Sequence, residues 1–288
     1  MGTILIGTEA VAEGLVTPGQ LRYGYRRLFP DVYVPKAQPQ SLADDAIGAW
    51  LWSGRRGIVT VRAAASLHGA RWVNSETPVE LIYDCRRRPN GIIARNERID
   101  WDEIVDNGQL SLATVERTAV DLGRHLPLGR AVAHLDALAN ATGLTAESVY
   151  PLVDRYSGAR GMKTLRKALD LMDGGAESPK ETWLRLLLMR EFPRPQTQIP
   201  LVDEWGMPLI RLDMGWEAAK IAVEYDGAHH QENRSQYVTD ERRLRLIQAR
   251  DWLYVKVIKE DKPAEILARV RRAWALRETA TTVAKRAS

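Results

Sequence analysis

Asp213, Glu224 and Asp226 lie close together in the C-terminal third of the chain, followed by a histidine pair, His229 and His230. The segments that carry the acids, 209–214 and 221–225, alternate apolar and polar residues and read as short strands. If residues 217–220 form a four-residue loop, Asp213 faces Glu224 across a hairpin, and the side-chain period of two puts Asp226 on the same face. Leu212, Met214, Ile221, Val223 and Tyr225 then line the opposite, apolar face. A slip of one residue would bury the acids, so the hydrophobic pattern fixes this register. Carboxylates brought together repel unless a cation or a shared proton compensates. Oxygen-only ligands favour Mg2+ or Mn2+, and such an ion activates water and stabilises charge on a phosphoryl group. The chemistry open to this site is phosphodiester hydrolysis assisted by a metal ion held among these carboxylates. Spacing alone is equally satisfied by an acidic hairpin face that keeps a sheet soluble.

The flanking pattern supplies elements to hold that hairpin. A helix is expected over 178–191, with Trp183, Leu184, Leu187 and Leu188 on its apolar face. Strands follow over 196–202, 209–214 and 221–225, then a helix over 235–250, a strand over 252–258 and a closing helix over 264–276. The order is α-β-β-β-α-β-α. Ser178-Pro179-Lys180-Glu181 opens the first helix as a capping box, in which the glutamate returns to the backbone at the N-cap. Glu181 is thus a cap or a member of the acidic site. His229 and His230 alternate in direction, so only one can face the acids. Asp240 and Arg243, one turn apart, suit a surface ion pair or, for Arg243, a phosphate contact.

Asp213, Glu224-Tyr225-Asp226-Gly227 and His230, within that α-β-β-β-α-β order, resemble the core of the restriction-endonuclease-like superfamily, the PD-(D/E)XK nucleases. The likeness is nearest to the branch related to very-short-patch repair endonucleases, with its D…E-x-D-G-x-x-H pattern. Ser178-Pro179-Lys180-Glu181 and the helix positions Tyr237, Asp240 and Arg243 are similar to further motifs of that branch. The likeness covers residues 176–277. It implies an α/β restriction-endonuclease-like domain over 176–288, DNA as substrate, and Mg2+ or Mn2+ held by Asp213 and Glu224. It also places Asp226, His230 and Glu181 in the catalytic site. The superfamily's usual lysine, two residues after the second acid, is Asp226 here; His230, Gln198 and Lys256 are candidates for its role.

Upstream, Thr8-Glu9-Ala10-Val11-Ala12 opens a short helix. Thr17-Pro18-Gly19-Gln20, with Thr as N-cap and Pro at the first helical position, leads into a second helix that runs to Leu28. A strand is expected over 31–35, helices over 42–52 and 62–68, and strands over 79–83 and 91–95 with a turn over 86–91. Helix follows from 113 to 172, broken near Pro127, Gly143 and Gly158, and Asp173-Gly174-Gly175-Ala176 reads as a linker. The expected organisation is an α+β N-terminal region with a winged-helix-like module over 1–75, a mixed α/β-to-helical region over 76–172, and the C-terminal domain. Leu15-Val16-Thr17-Pro18-Gly19-Gln20-Leu21, Val32-Tyr33-Val34, Arg62-Ala63-Ala64-Ala65-Ser66-Leu67-His68-Gly69 and Glu116-Arg117-Thr118-Ala119-Val120-Asp121-Leu122 resemble AbiEi-type antitoxins. That resemblance implies a winged-helix DNA-binding module. Arg22, Arg26 and Arg27 on the second helix, with Arg22 and Arg26 four residues apart on one face, are candidate phosphate contacts. A solvated basic face is the plainer alternative.

At 288 residues and 45% hydrophobic, the chain is long enough to build two cores. No apolar run reaches the roughly 20 residues a membrane span needs, and the first residues lack a basic-then-apolar leader pattern. Cys85 stands alone, which excludes an internal disulfide and a cysteine-ligated zinc and suits a reducing cytoplasm. The net charge of +4 permits a nucleic-acid partner without pointing to one. His68, His125 and His134 lack partner patterns and read as structural. The expectation is a cytoplasmic, metal-dependent DNA endonuclease with an N-terminal DNA-binding module and no membrane partner. The alternative is a non-catalytic, antitoxin-like DNA-binding regulator with a degenerate nuclease domain, a reading that Asp226 in the lysine position favours.

Overall fold

Thr17 is the N-cap its sequence predicts, its Oγ1 accepting the Gln20 N–H (3.2 Å), and the structure adds the return bond of a capping box, from the Thr17 N–H to Gln20 Oε1 (2.8 Å). The computed structural model describes residues 4–227 and 234–287, and the chain divides into two compact units, Met1–Gly174 and Gly175–Ser288.

The first unit begins with β1 (Leu5–Ile6), α1 (Gly7–Ala12), α2 (Pro18–Gly24), β2 (Tyr25–Phe29) and β3 (Val32–Pro35), whose strands form a sheet ordered β1-β3-β2. The helix expected to run to Leu28 ends instead at Gly24. Tyr25–Phe29 pairs with Val32–Pro35 across the Pro30-Asp31 turn, where Asp31 takes a positive φ of 60°. Cross-strand pairing overrides a helical preference that Gly24 already weakens. Arg26 and Arg27 are therefore strand residues, and the expected four-residue helical spacing with Arg22 does not form.

Next come α3 (Leu42–Trp52), β4 (Ile58–Thr60), α4 (Val61–Leu67), β5 (Val79–Ile82), β6 (Ile92–Arg95), β7 (Ile104–Asp106) and β8 (Ser111–Ala113), the strands forming a sheet ordered β6-β5-β4-β8-β7. β5 and β6 run parallel, so residues 83–91 cross over instead of closing a hairpin. β4 pairs with both β5 and β8, so this sheet continues through residue 75, the expected end of the N-terminal module. Phe29, Ala46, Val59, Leu81 and Leu112 share its core. Four helices complete the unit: α5 (Val115–His125), α6 (Leu128–Thr142), α7 (Ala146–Arg155) and α8 (Met162–Leu171). The Glu116–Leu122 motif lies on α5. Its fully buried Arg117 donates to Asp121 Oδ2 (3.0 Å) and Glu103 Oε2 (2.6 Å), so the motif builds an internal ion network.

The second unit consists of α9 (Pro179–Leu188), β9 (Gln196–Val202), β10 (Pro208–Trp216), β11 (Ile221–Asp226), α10 (Arg234–Ala249), β12 (Leu253–Ile258) and α11 (Pro263–Ala287), an α-β-β-β-α-β-α order. The sheet reads β12-β11-β10-β9. β9, β10 and β11 are antiparallel neighbours, and β11 and β12 are parallel with α10 as the crossover. One core joins Leu184 and Leu188 of α9 and Ile266 and Val270 of α11 to Met214 and Val223 of the sheet. Phe192, Trp216 and Trp274 pack in the same core with ring centroids 5.5 to 6.3 Å apart. A second core joins Ile199, Leu212 and Ala222 to Ile247 of α10. Leu212 thus belongs with α10, and its expected place beside Met214, Ile221 and Val223 is corrected. The β9–β10 ladder pairs Leu212 with Ile199 and Met214 with Thr197 but omits Asp213 and Gln198 between them. Gln198 there takes a positive φ of 53°, a local break in regular strand geometry of the kind that bulges and functional sites carry. Among the described residues, no helix is long and apolar enough to cross a membrane.

Candidate functional site

Three elements converge where the regular pairing of β10 stops. The β10–β11 ladder runs Trp216↔Ile221, Gly215↔Ala222 and Met214↔Val223, the register the sequence predicts. Residues 217–219 form the turn, and Lys220 closes it in a left-handed conformation. One step further, Asp213 Oδ2 accepts the Tyr225 N–H at 3.3 Å. Parallel pairing of β11 with β12 sets Ala222 beside Tyr254 and Glu224 beside Lys256, so Glu224, Asp226, Tyr254 and Lys256 project from one face. α10 covers that face and contributes Arg243.

These groups line a cavity of about 730 Å³ whose wall includes Gln198, Asp213, Glu224, Asp226, Arg243 and Lys256. Glu224 is buried and fully engaged. Arg243 Nη2 donates to its Oε1 at 2.5 Å, Arg243 Nε to its Oε2 at 3.3 Å, and the Tyr254 hydroxyl to Oε2 at 3.0 Å. Arg243 Nη2 also donates to the Arg211 carbonyl at 2.6 Å. The expected Asp240–Arg243 surface pair is therefore replaced by a contact with the acidic site. Lys256 Nζ lies 2.5 Å from Asp226 Oδ2, so a lysine does reach the acids, from the neighbouring strand.

Electrostatics single out Asp213. Burial, then the nearby Glu224 and Glu181 carboxylates, push its carboxyl up to about 7, against the pull of the Tyr225 N–H and Arg243. Burial first, then Glu224, raises the Tyr254 hydroxyl above its ordinary value, which keeps it a proton donor to Glu224. Glu181 lies at the start of α9. Its Oε1 accepts from the Ser178 hydroxyl (2.8 Å) and its Oε2 from the Glu177 N–H (2.8 Å), while its own N–H donates to Ser178 Oγ (3.2 Å). The carboxylate thus returns to the N–H of Glu177, one residue before the expected Ser178, and still holds the helix start; it reaches the site through its field, with burial raising its own carboxyl. His229 and His230 lie outside the described residues.

A hard divalent cation fits this donor set. Asp213 and Glu224 carry oxygen ligands of the kind it takes, and burial first, then the Glu224 and Glu181 carboxylates, raise the Asp213 carboxyl. Among the described residues, groups of three or more candidate ligands within 4.8 Å of one another occur at Glu97–Asp121–His125 and Asp100–Asp102–Glu103, and Asp213, Glu224 and Asp226 form no such group. The first two groups already hold arginines: Arg124 pairs with Glu97 at 2.9 Å and Arg155 with Asp102 at 2.8 Å.

The N-terminal candidates occupy the first unit. Arg22 is exposed on α2 with its guanidinium 5.9 Å from the Tyr23 ring centroid. Arg27 on β2 donates from Nε to the Phe29 carbonyl at 3.3 Å, and Arg26 is half-buried on the same strand. Arg22 and Arg27 line a shared cavity beside Tyr33. Sequence reasoning missed Tyr254, although the alternation of Tyr254 and Lys256 in the strand over 252–258 offered a signal.

No family model matches the chain, and no solved structure matches it. The chain is 26% identical over 253 residues to the uncharacterized proteins MT2308 and Rv2248 of Mycobacterium tuberculosis (strains CDC 1551 / Oshkosh and ATCC 25618 / H37Rv), covering 86% of this chain and 92% of each relative. That length exceeds either compact unit, so the similarity spans both.

Proposed function

We propose that this protein is a divalent-cation-dependent DNA endonuclease whose C-terminal unit carries the active site and whose N-terminal unit grips DNA. The observation that carries this reading is the convergence of Asp213, Glu224, Asp226, Gln198 and Lys256 on one cavity around a carboxyl raised to about 7. Asp213 and Glu224 would hold Mg2+ or Mn2+, which when bound supplies a lowered pKa for water and neutralisation of charge on the phosphate. Lys256 and Asp226 hold the attacking water, one donating to it and the other accepting from it. As Asp226 takes the water's proton, the water oxygen bonds to phosphorus and the bond to the leaving oxygen, in line, breaks, the leaving oxygen gaining a proton from solvent. Lys256 thereby takes the role that the superfamily's strand lysine has in the resembling nucleases. In the first unit, the exposed Gln20, Arg22 and Tyr23 of α2 and the β1-β3-β2 sheet order support a winged-helix-like DNA contact.

The test is incubation of the full chain with plasmid and mismatched duplex DNA in Mg2+ and Mn2+. Cleavage is expected from wild type and not from Asp213→Ala or Glu224→Ala; an inactive wild type with every substrate and both metals counts against the reading. A second reading, a non-catalytic DNA-binding regulator, is favoured by one observation: Glu224 and Asp226 are already neutralised inside the chain by Arg243 and Lys256. Calorimetric titration with Mn2+ separates the two, because a regulator of this kind binds DNA but no metal.

A further inference from the structure

We propose that Arg243 is a tethered counter-ion of the acidic site, occupying Glu224 in the free protein and leaving it for a DNA phosphate, which frees Glu224 for a divalent cation. The proposal rests on the nuclease reading above and adds to it an order of events. Arg243 meets both oxygens of Glu224, at 2.5 and 3.3 Å, in the fork geometry that makes arginine–carboxylate pairs strong. The Tyr254 hydroxyl takes a further lone pair at 3.0 Å. A cation that is to use Glu224 as a ligand must therefore compete with a guanidinium for the same oxygens. Arg243 is only half-buried and lines the same cavity as Asp213 and Lys256, so a phosphodiester entering beside the acids offers it a second anionic partner without a change of fold.

Two physical consequences follow from this competition. A buried carboxylate stripped of its cationic partner is costly, so removing the guanidinium should leave Asp213 and Glu224 needing a metal more. DNA that draws Arg243 away should also tighten cation binding, and by linkage the cation should tighten DNA binding by the same factor. The free protein then holds its acids neutralised and its metal affinity low, and the site assembles on substrate.

Mn2+ is titrated into the full chain without DNA, and free Mn2+ is read by electron paramagnetic resonance for wild type and Arg243→Gln. Arg243→Gln is expected to bind Mn2+ about ten- to a hundredfold more tightly, the range that charge-assisted hydrogen bonds span. If Arg243→Gln does not fold, as judged by circular dichroism, Arg243→Lys carries the same test. It keeps the charge but loses the fork, and a smaller tightening of about three- to tenfold is expected. Equal or weaker Mn2+ binding by the folded variant, while Asp213→Ala abolishes wild-type binding, overturns the counter-ion role and leaves the metal site standing. Absence of Mn2+ binding in wild type and variant alike overturns the metal-site reading and this proposal with it.

Discussion

Asp213 is partly buried beside the end of the β10–β11 ladder, and its carboxyl rises to about 7 from 3.8. The folded chain binds that proton more tightly than the unfolded chain does. The stability this group contributes is therefore fully present below about pH 4 and is lost as pH rises through about 7. Metal-free Asp213→Asn should melt at a higher temperature than wild type at pH 8, and the difference should vanish at pH 4; equal melting temperatures at pH 8 would contradict the assignment. Lys256 makes a different prediction. Its removal as Lys256→Ala should lower the cleavage rate by about 100-fold or more, the scale for removing a proton-handling or water-positioning group, while Mn2+ affinity stays close to wild type. Loss of Mn2+ binding in that variant would show that the lysine mainly supports the hairpin.

The hairpin of β10 and β11 is the element on which the site depends. It positions Asp213 by ending its ladder one pair early and positions Glu224 by pairing with β12. Gly215 leaves no room for a side chain against β11: a Cβ there would meet the Ile221 carbonyl oxygen at 2.2 Å. That atom belongs to the backbone and cannot swing aside. Gly215→Ala should accordingly destabilise the chain by about 1–3 kcal/mol, the range for overpacking, as read by urea denaturation. It should weaken Mn2+ binding as well, since the same shift moves Glu224 relative to Asp213. Unchanged stability would mean that the strands can separate at this point without penalty. Glu181 shows how an element's own needs can claim a residue, because its carboxylate closes the start of α9 before it serves anything else.

At the scale of the molecule, two units each have their own core, and the two Mycobacterium tuberculosis relatives share a length that spans both. The proposed division of labour separates grip from chemistry. Full-length protein carrying Arg22→Ala and Arg27→Ala should bind duplex DNA with a salt dependence shallower by about two, near one for each phosphate-binding arginine removed, while its Mn2+ affinity is unchanged. An unaltered salt slope would remove these arginines from the DNA interface.

The order of elements in the second unit and the hairpin register follow from the sequence, because alternation, caps and turn residues act over a few positions. The four-residue loop, the pairing of Met214 with Val223 and the Ser178 cap are all of this local kind. The tertiary structure alone decided which partners the charged groups take. Arg243 reads as a neighbour of Asp240 along its helix, yet α10 lies across the sheet and delivers it to Glu224. Lys256 reaches Asp226 because β12 runs parallel to β11 in one particular register. Arg26 and Arg27 left their expected helix when β3 offered Tyr25–Phe29 a strand partner, and Leu212 changed sides where Gln198 breaks the regularity of β9. Each of these outcomes depends on which segment a strand or helix packs against, whether a near neighbour such as β3 or a later element such as α10 or β12, and periodicity within one segment does not encode that choice.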